Sequence, residues 1–270
     1  SVPQAVANGI QPDGSRLPTW NPVLFQPRNG PVMLFYKVGP NPRDWWGMVI
    51  TSDDDGRSWS PPVRLDDGLL GPIKNKPVQL SDGSIVSPTS IESQADGWRV
   101  YFERSVDGAR TWSATPWVES DASIRAIQPS LLVHSPRRLQ AIGRTKSGRL
   151  FDTWSDDAGV SWSPLALTTL PNCNSGTDAV TLADGRHVLI YNHATREKER
   201  FPLNLAISHD GRTWFESTEL ESEPPGQYSY PCVIQSRDGR VHVAYTWKRL
   251  RMRYAVLDSH RMPLLKRGEA

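Results

Sequence analysis

One cluster of residues recurs four times along the chain and limits the fold more than any other feature. Ser52-Asp53-Asp54-Asp55-Gly56-Arg57-Ser58-Trp59, the segment Ser105 to Trp112 (SVDGARTW), Ser155 to Trp162 (SDDAGVSW) and Ser208 to Trp214 (SHDGRTW) share a serine, an aspartate and a closing tryptophan. Their first residues lie 53, 50 and 53 positions apart. A period of about 50 with one turn motif per unit marks a propeller or solenoid, in which each unit buries its faces against its neighbours. The chemistry suits a hairpin turn: the aspartate accepts from nearby backbone N–H groups, glycine supplies positive φ, and the tryptophan covers the turn. These Asp and Trp residues are therefore read as structural staples of outer hairpins.

Between the clusters runs a second repeated feature, an inner hairpin. Pro22 to Phe25 turns at Arg28-Asn29-Gly30 into Val32 to Tyr36; Pro77 to Leu80 turns at Asp82-Gly83 into Ser84 to Ser87; Ser130 to Val133 turns near Pro136 into Leu139 to Ile142. Ala179 to Leu182 then turns at Asp184-Gly185 into His187 to Tyr191, and Cys232 to Gln235 at Asp238-Gly239 into Val241 to Tyr245. The 23 prolines and 20 glycines interrupt every helical apolar period, so an all-β fold follows. Five inner hairpins predict five propeller blades within a single domain spanning 1–270.

Blade geometry narrows where a site has to be. In an up-and-down blade the start of the first strand and the end of the second share one rim, because the turn joining them lies at the other. That rim carries Lys37, Lys74, Lys76, Gln128, Arg144, Asp178, His193 and Lys248, with Arg200 on a nearby loop and Trp20 and Trp247 as aromatic surfaces. A mouth of this composition suits a carboxylated or sulfated sugar, bound by cations and stacked on indole rings. Tyr230, beside Pro231, is read as wall. His134, His187, His209, His242 and His260 fall in turns, strands or the tail and are read as structural.

The 31 basic and 29 acidic side chains nearly cancel, giving +2, so no global field favours nucleic acid or a membrane surface, and neither is expected as a partner. No apolar run approaches the ~20 residues that span a bilayer. Cys173 and Cys232 form no disulfide framework or zinc spacing, and no phosphate-binding or metal-ligand motif appears, so no cofactor or metal is expected. The compartment stays open.

The recurrent cluster resembles the Asp box, or bacterial neuraminidase repeat, of sialidases and their relatives, with pattern Ser-x-Asp-x-Gly-x-Thr/Ser-Trp; the second copy has Ala109 at the glycine position and the fourth is one residue short. The resemblance implies a six-bladed fold. Residues 1 to 15 look like an outer strand following an Asp box, so one blade preceding residue 1 in a complete relative is expected to be absent here. It also implies roles. Tyr228-Ser229, ahead of Asp238-Gly239, matches the family's tyrosine nucleophile; Arg144 and Arg200 match two carboxylate-binding arginines; Asp44, in Pro42-Arg43-Asp44-Trp45, is positioned like the acid/base aspartate. His193 is a further catalytic candidate. Two departures stand out: Gln128 occupies the place of the glutamate that polarises the tyrosine, and Trp20-Asn21-Pro22 replaces an Arg-Ile-Pro. The expected activity is an exo-acting, sialidase-like glycoside hydrolase on an acidic sugar. A β-eliminating lyase or rhamnosidase-type enzyme on uronate-containing glycans, and a non-catalytic sugar-binding propeller, are the alternatives.

Overall fold

The computed structural model describes residues 4–95, 97–224 and 226–262 and the backbone of a short strand at 266–267. Apart from one 3-10 turn, Ser259–Arg261, all of its regular structure is strand. The strands form five antiparallel sheets, the blades of an all-β propeller, and the chain divides into two compact units, Ser1–Trp117 and Val118–Ala270.

The first unit holds two blades. Blade 1 runs in order through β1 (Thr19–Phe25), β2 (Val32–Val38), β3 (Trp46–Ser52) and β4 (Val63–Arg64); blade 2 through β5 (Val78–Gln79), β6 (Ile85–Ser93), β7 (Gly97–Ser105) and β8 (Ser113–Ala114). Met33 and Phe35 of blade 1 meet Ile85 of blade 2 and Ala109 of its outer turn in a buried cluster that Trp112 covers. Residues 4–18 form no outer strand, contrary to expectation. Their only bridge among the described residues joins Ile10 to Arg16, because Gln11 N–H bonds Ser15 O and turns the segment back on itself, and Ala7 and Leu17 then cover the other face of blade 1.

The second unit holds three. Blade 3 comprises β9 (Ala126–Val133), β10 (Leu139–Thr145), β11 (Arg149–Ser155) and β12 (Ala166–Pro171). Blade 4 comprises β13 (Asp178–Thr181), β14 (His187–Asn192), β15 (Leu203–Ser208) and β16 (Trp214–Glu221), with β20 (Lys266–Arg267) added outside β16. Blade 5 has β17 (Tyr228–Gln235), β18 (Arg240–Trp247) and β19 (Arg251–Asp258). The five expected inner hairpins are β1/β2, β5/β6, β9/β10, β13/β14 and β17/β18. One face of blade 5 (Val233, Val241, Val243, Tyr245) packs on blade 4, whereas its other face presents Cys232, Ile234, Met252, Tyr254 and Val256 to solvent.

Each Asp box closes the turn between the third and fourth strand of its blade. In the third copy Ser155 Oγ and Ser161 Oγ donate to Asp157, which also accepts from Val160 N–H and Ser161 N–H, while Trp162 Nε1–H bonds Gly159 O at 3.3 Å. The second copy keeps the bonds to its aspartate, Asp107, with Ala109 at φ 73 in the glycine place and its N–H donating to Ser105 Oγ. These carboxylates are saturated by their own turns.

Candidate functional site

The first strands of blades 1, 3 and 5 share a β-bulge at one register. Asn21-Pro22 stand where β2 has one residue, Gln128-Pro129 where β10 has Gly143, and Tyr230-Pro231 where β18 has Tyr245. In each, the residue before proline takes left-handed φ: 46 for Asn21, 56 for Gln128 and 53 for Tyr230. Such a backbone is strained for a side-chain-bearing residue, and bulges re-aim the side chain they carry. Proline fits because a bulged residue has no ladder partner for an N–H. Gly143 is required opposite Gln128: a Cβ there would lie 2.8 Å from the Phe151 ring and 3.0 Å from Pro129 Cα.

The bulge in blade 5 has a consequence for the two tyrosines. Tyr228 is 0% exposed within the apolar seam between blades 4 and 5, and its hydroxyl donates to Glu223 O at 2.9 Å. It lies in one apolar cluster with Leu203 and Val243, so the hydroxyl expected here as a nucleophile is buried in the wall. Tyr230 is 47% exposed, and the Arg200 guanidinium lies 5.1 Å from the centre of its ring. Burial pushes its phenol up, but a hydrogen bond from Arg200 and the positive charges of Arg200, Arg144 and Arg249 outweigh that and hold it below the usual tyrosine value. Tyr230, read from sequence as wall, is thus the tyrosine that the arginines surround.

Arg200 reaches this place because its carbonyl accepts from Tyr228 N–H at 2.9 Å, in a parallel bridge between residue 200 and Gln227. Its Nη1 is buried with no hydrogen-bond partner among the described residues. Arg144, near the end of β10, is buried. Cys173 sits close enough to both arginines to feel them, although burial dominates and pushes its thiol up to about 11. Asn172 and Ser175, on either side of it in sequence, and Asn192 and Ser229 in blades 4 and 5 are buried, and each keeps a side-chain oxygen without a partner among the described residues. A buried polar atom left unpaired costs about 1–3 kcal/mol, so a locus rich in them favours a polyhydroxylated ligand.

Other expected site residues fall elsewhere. Asp178 is buried as a tie between three blades, accepting from Ser130 Oγ, Ala179 N–H and Val233 N–H. Gln128 is buried in its bulge. His193 Nδ1 lies 2.7 Å from Glu216 Oε1 and 2.6 Å from the Tyr191 hydroxyl, committing that ring edge to blade 4. Lys248 stacks on Trp247, 5.0 Å from the ring centre, and faces Glu223 at 3.7 Å. In the first unit Lys37 is fully buried, not exposed at a mouth. Its Nζ donates to Pro72 O at 3.0 Å; burial drives its pKa down to about 7, opposed by Glu103. Lys74 donates to Asn75 Oδ1, and Lys76 lies beside it, half-buried. Asp44 is exposed on the β2–β3 loop, where Asn41 Nδ2 donates to it at 2.8 Å.

An Asp-box β-propeller of this kind defines a class, that of the sialidase-like propellers. The family description of the BNR repeat-like domain matches residues 1–243, and the chain belongs to this family. A sialidase of Bacteroides fragilis (strain YCH46) is 22% identical over 236 residues, 76% of this chain and 42% of that protein. Among solved structures, the Hadza microbial sialidase Hz136 superposes with a TM-score of 0.78 at 16% identity, covering 96% of this chain and 57% of its own. The NanB sialidase of Streptococcus pneumoniae gives 0.63 at 16% identity, covering 84% and 37%. The intramolecular trans-sialidase of Ruminococcus gnavus gives 0.65 at 18% identity, covering 85% and 53%. The chain therefore spans about half the length of these relatives.

Proposed function

We propose that the chain is a glycoside hydrolase that binds the acidic sugar at a glycan terminus through Arg200 and Arg144 and works with Tyr230 at the reacting carbon. The observation that supports this most is the Tyr230 phenol, half exposed beneath Arg200 with its pKa lowered by surrounding cations. A guanidinium pair suits a carboxylate through charge-assisted bonds. A phenol held toward phenolate can attack an anomeric carbon or stabilise positive charge that develops on the ring. The buried Asn172, Ser175 and Asn192 would meet sugar hydroxyls.

A β-eliminating lyase is the second reading, favoured by one observation: Gln128, and not a carboxylate, occupies the blade 3 bulge, and the groups acting on Tyr230 other than burial are all cations. Cations that acidify the proton beside a carboxylate and a phenolate that removes it suit elimination. Incubation with sialosides and with uronate-containing oligosaccharides, read by product mass, separates the two: hydrolysis adds water and elimination does not. Binding with no product in either series points to a non-catalytic sugar-binding propeller.

A further inference from the structure

A cleft lined by several aromatic side chains lies wholly within the first unit. Its volume is ≈ 430 Å³, within the range of small-molecule sites. Trp45, Trp46, Tyr101 and Trp117 line it together with Arg64 and Asp66. The Asp-box tryptophans cover their own turns, whereas Trp117 belongs to no box, is 46% exposed and carries the Arg99 guanidinium 5.6 Å from its ring centre.

The cleft is preformed. Gly47 lets the 65–72 loop close down on β3, since a Cβ there would stand 2.6 Å from Leu70 O, and Leu65 N–H bonds Gly47 O at 2.9 Å. The buried Glu103 carboxylate accepts from Leu70 N–H at 2.7 Å and Gly71 N–H at 2.9 Å, and Lys37 Nζ holds Pro72 O. Lys37 and Glu103, each through its own bonds, thus pin the cleft wall. Rigid walls lower the ordering cost of binding.

We propose that this cleft binds neutral sugar rings. A hexose ring offers an apolar C–H face and a rim of hydroxyls; indole surfaces take the first, and fixed carboxylates and guanidiniums the second. The charges lining it favour a neutral ligand over an acidic one: Asp66, Asp67 and Glu92 stand against Arg43 and Arg64, and Arg64 is already engaged with Asp67 at 3.7 Å and with the Trp46 ring at 5.1 Å. The cleft and the arginine cluster would then recognise chemically different parts of glycans.

Calorimetric titration of the full chain with lactose, N,N′-diacetylchitobiose and xylobiose tests this. At least one should bind, and Trp117→Ala should weaken that binding by about tenfold or more, as should Asp66→Ala on the exposed loop, while Arg200→Ala leaves it unchanged. Absence of binding by all three disaccharides, or binding unaltered by both cleft variants in proteins that melt like the parent, overturns the proposal. Because Arg200 lies outside the cleft, failure here leaves the hydrolase reading standing, and loss of turnover in Arg200→Ala leaves this one standing.

Discussion

Tyr228 and Tyr230 are chemically identical and two residues apart, yet one is sealed in an apolar seam and the other lies under an arginine. Tyr230→Phe should abolish turnover on an acidic-sugar substrate with little change in melting temperature. Tyr228→Phe should cost about 1 kcal/mol, through the bond to Glu223 O, and leave kcat/KM intact. Since the Tyr230 phenol is held below its ordinary value, kcat/KM should rise with pH through a point below about 10. Arg249→Ala should move that point upward; an unmoved profile would argue against phenolate chemistry. The Asp boxes predict a different pH response. Burial would raise the Asp157 carboxyl, but bonds from Ser161, Ser155 and Val160 prevail and bring it down to about 2, and Asp210 similarly reaches about 2. A carboxylate with a depressed folded-state pKa stabilises fully above its unfolded value, near 4, and that contribution is lost as pH falls toward about 2. Asp157→Ala should therefore lower stability at neutral pH by about 1–2 kcal/mol, judged by denaturant melts, and flatten the acid limb between about 4 and 2.

At the scale of elements, the hairpins were legible because their turns carry Asp-Gly pairs at Asp82, Asp184 and Asp238 and their outer turns carry the boxes, all of which encode local backbone shape. The site was less so. Residues two apart in a regular strand share a face, so Tyr228 and Tyr230 are equivalent under alternation, and only the intervening bulge sends them apart. A signal existed: Asn21-Pro22, Gln128-Pro129 and Tyr230-Pro231 each head the first strand of a blade. Lys37 misled for another reason. Its place at a strand end suggested exposure, whereas it is fully buried with its Nζ bonded to Pro72 O, 35 residues away, a closure that no local pattern encodes. The bulge also predicts a sensitive position. Gly143→Ala should destabilise by about 1–3 kcal/mol, because the new methyl meets the Phe151 ring and the Pro129 backbone, and the loss should appear in thermal melts.

At the scale of the whole molecule, a near-zero net charge gives little electrostatic protection against self-association, and blade 5 adds an apolar face to that weakness. Residues 1–270 prepared alone should bind a hydrophobic dye such as ANS in the native state, and Met252→Lys with Tyr254→Lys should reduce that signal and raise solubility without shifting the melting temperature; unchanged dye binding would place the apolar surface elsewhere. The repeated bulge has an evolutionary side. Asn21, Gln128 and Tyr230 occupy one backbone slot in three blades, each followed by a proline and set against the strand opposite, and Asn21 also donates to Ile73 O at 2.7 Å. Blades that arose by duplication would inherit a set of interchangeable positions, each open to change by a single codon without disturbing the sheet beneath. A lineage built this way can change one displayed side chain at a time, and its members can drift far apart in chemistry while their backbones stay superimposable.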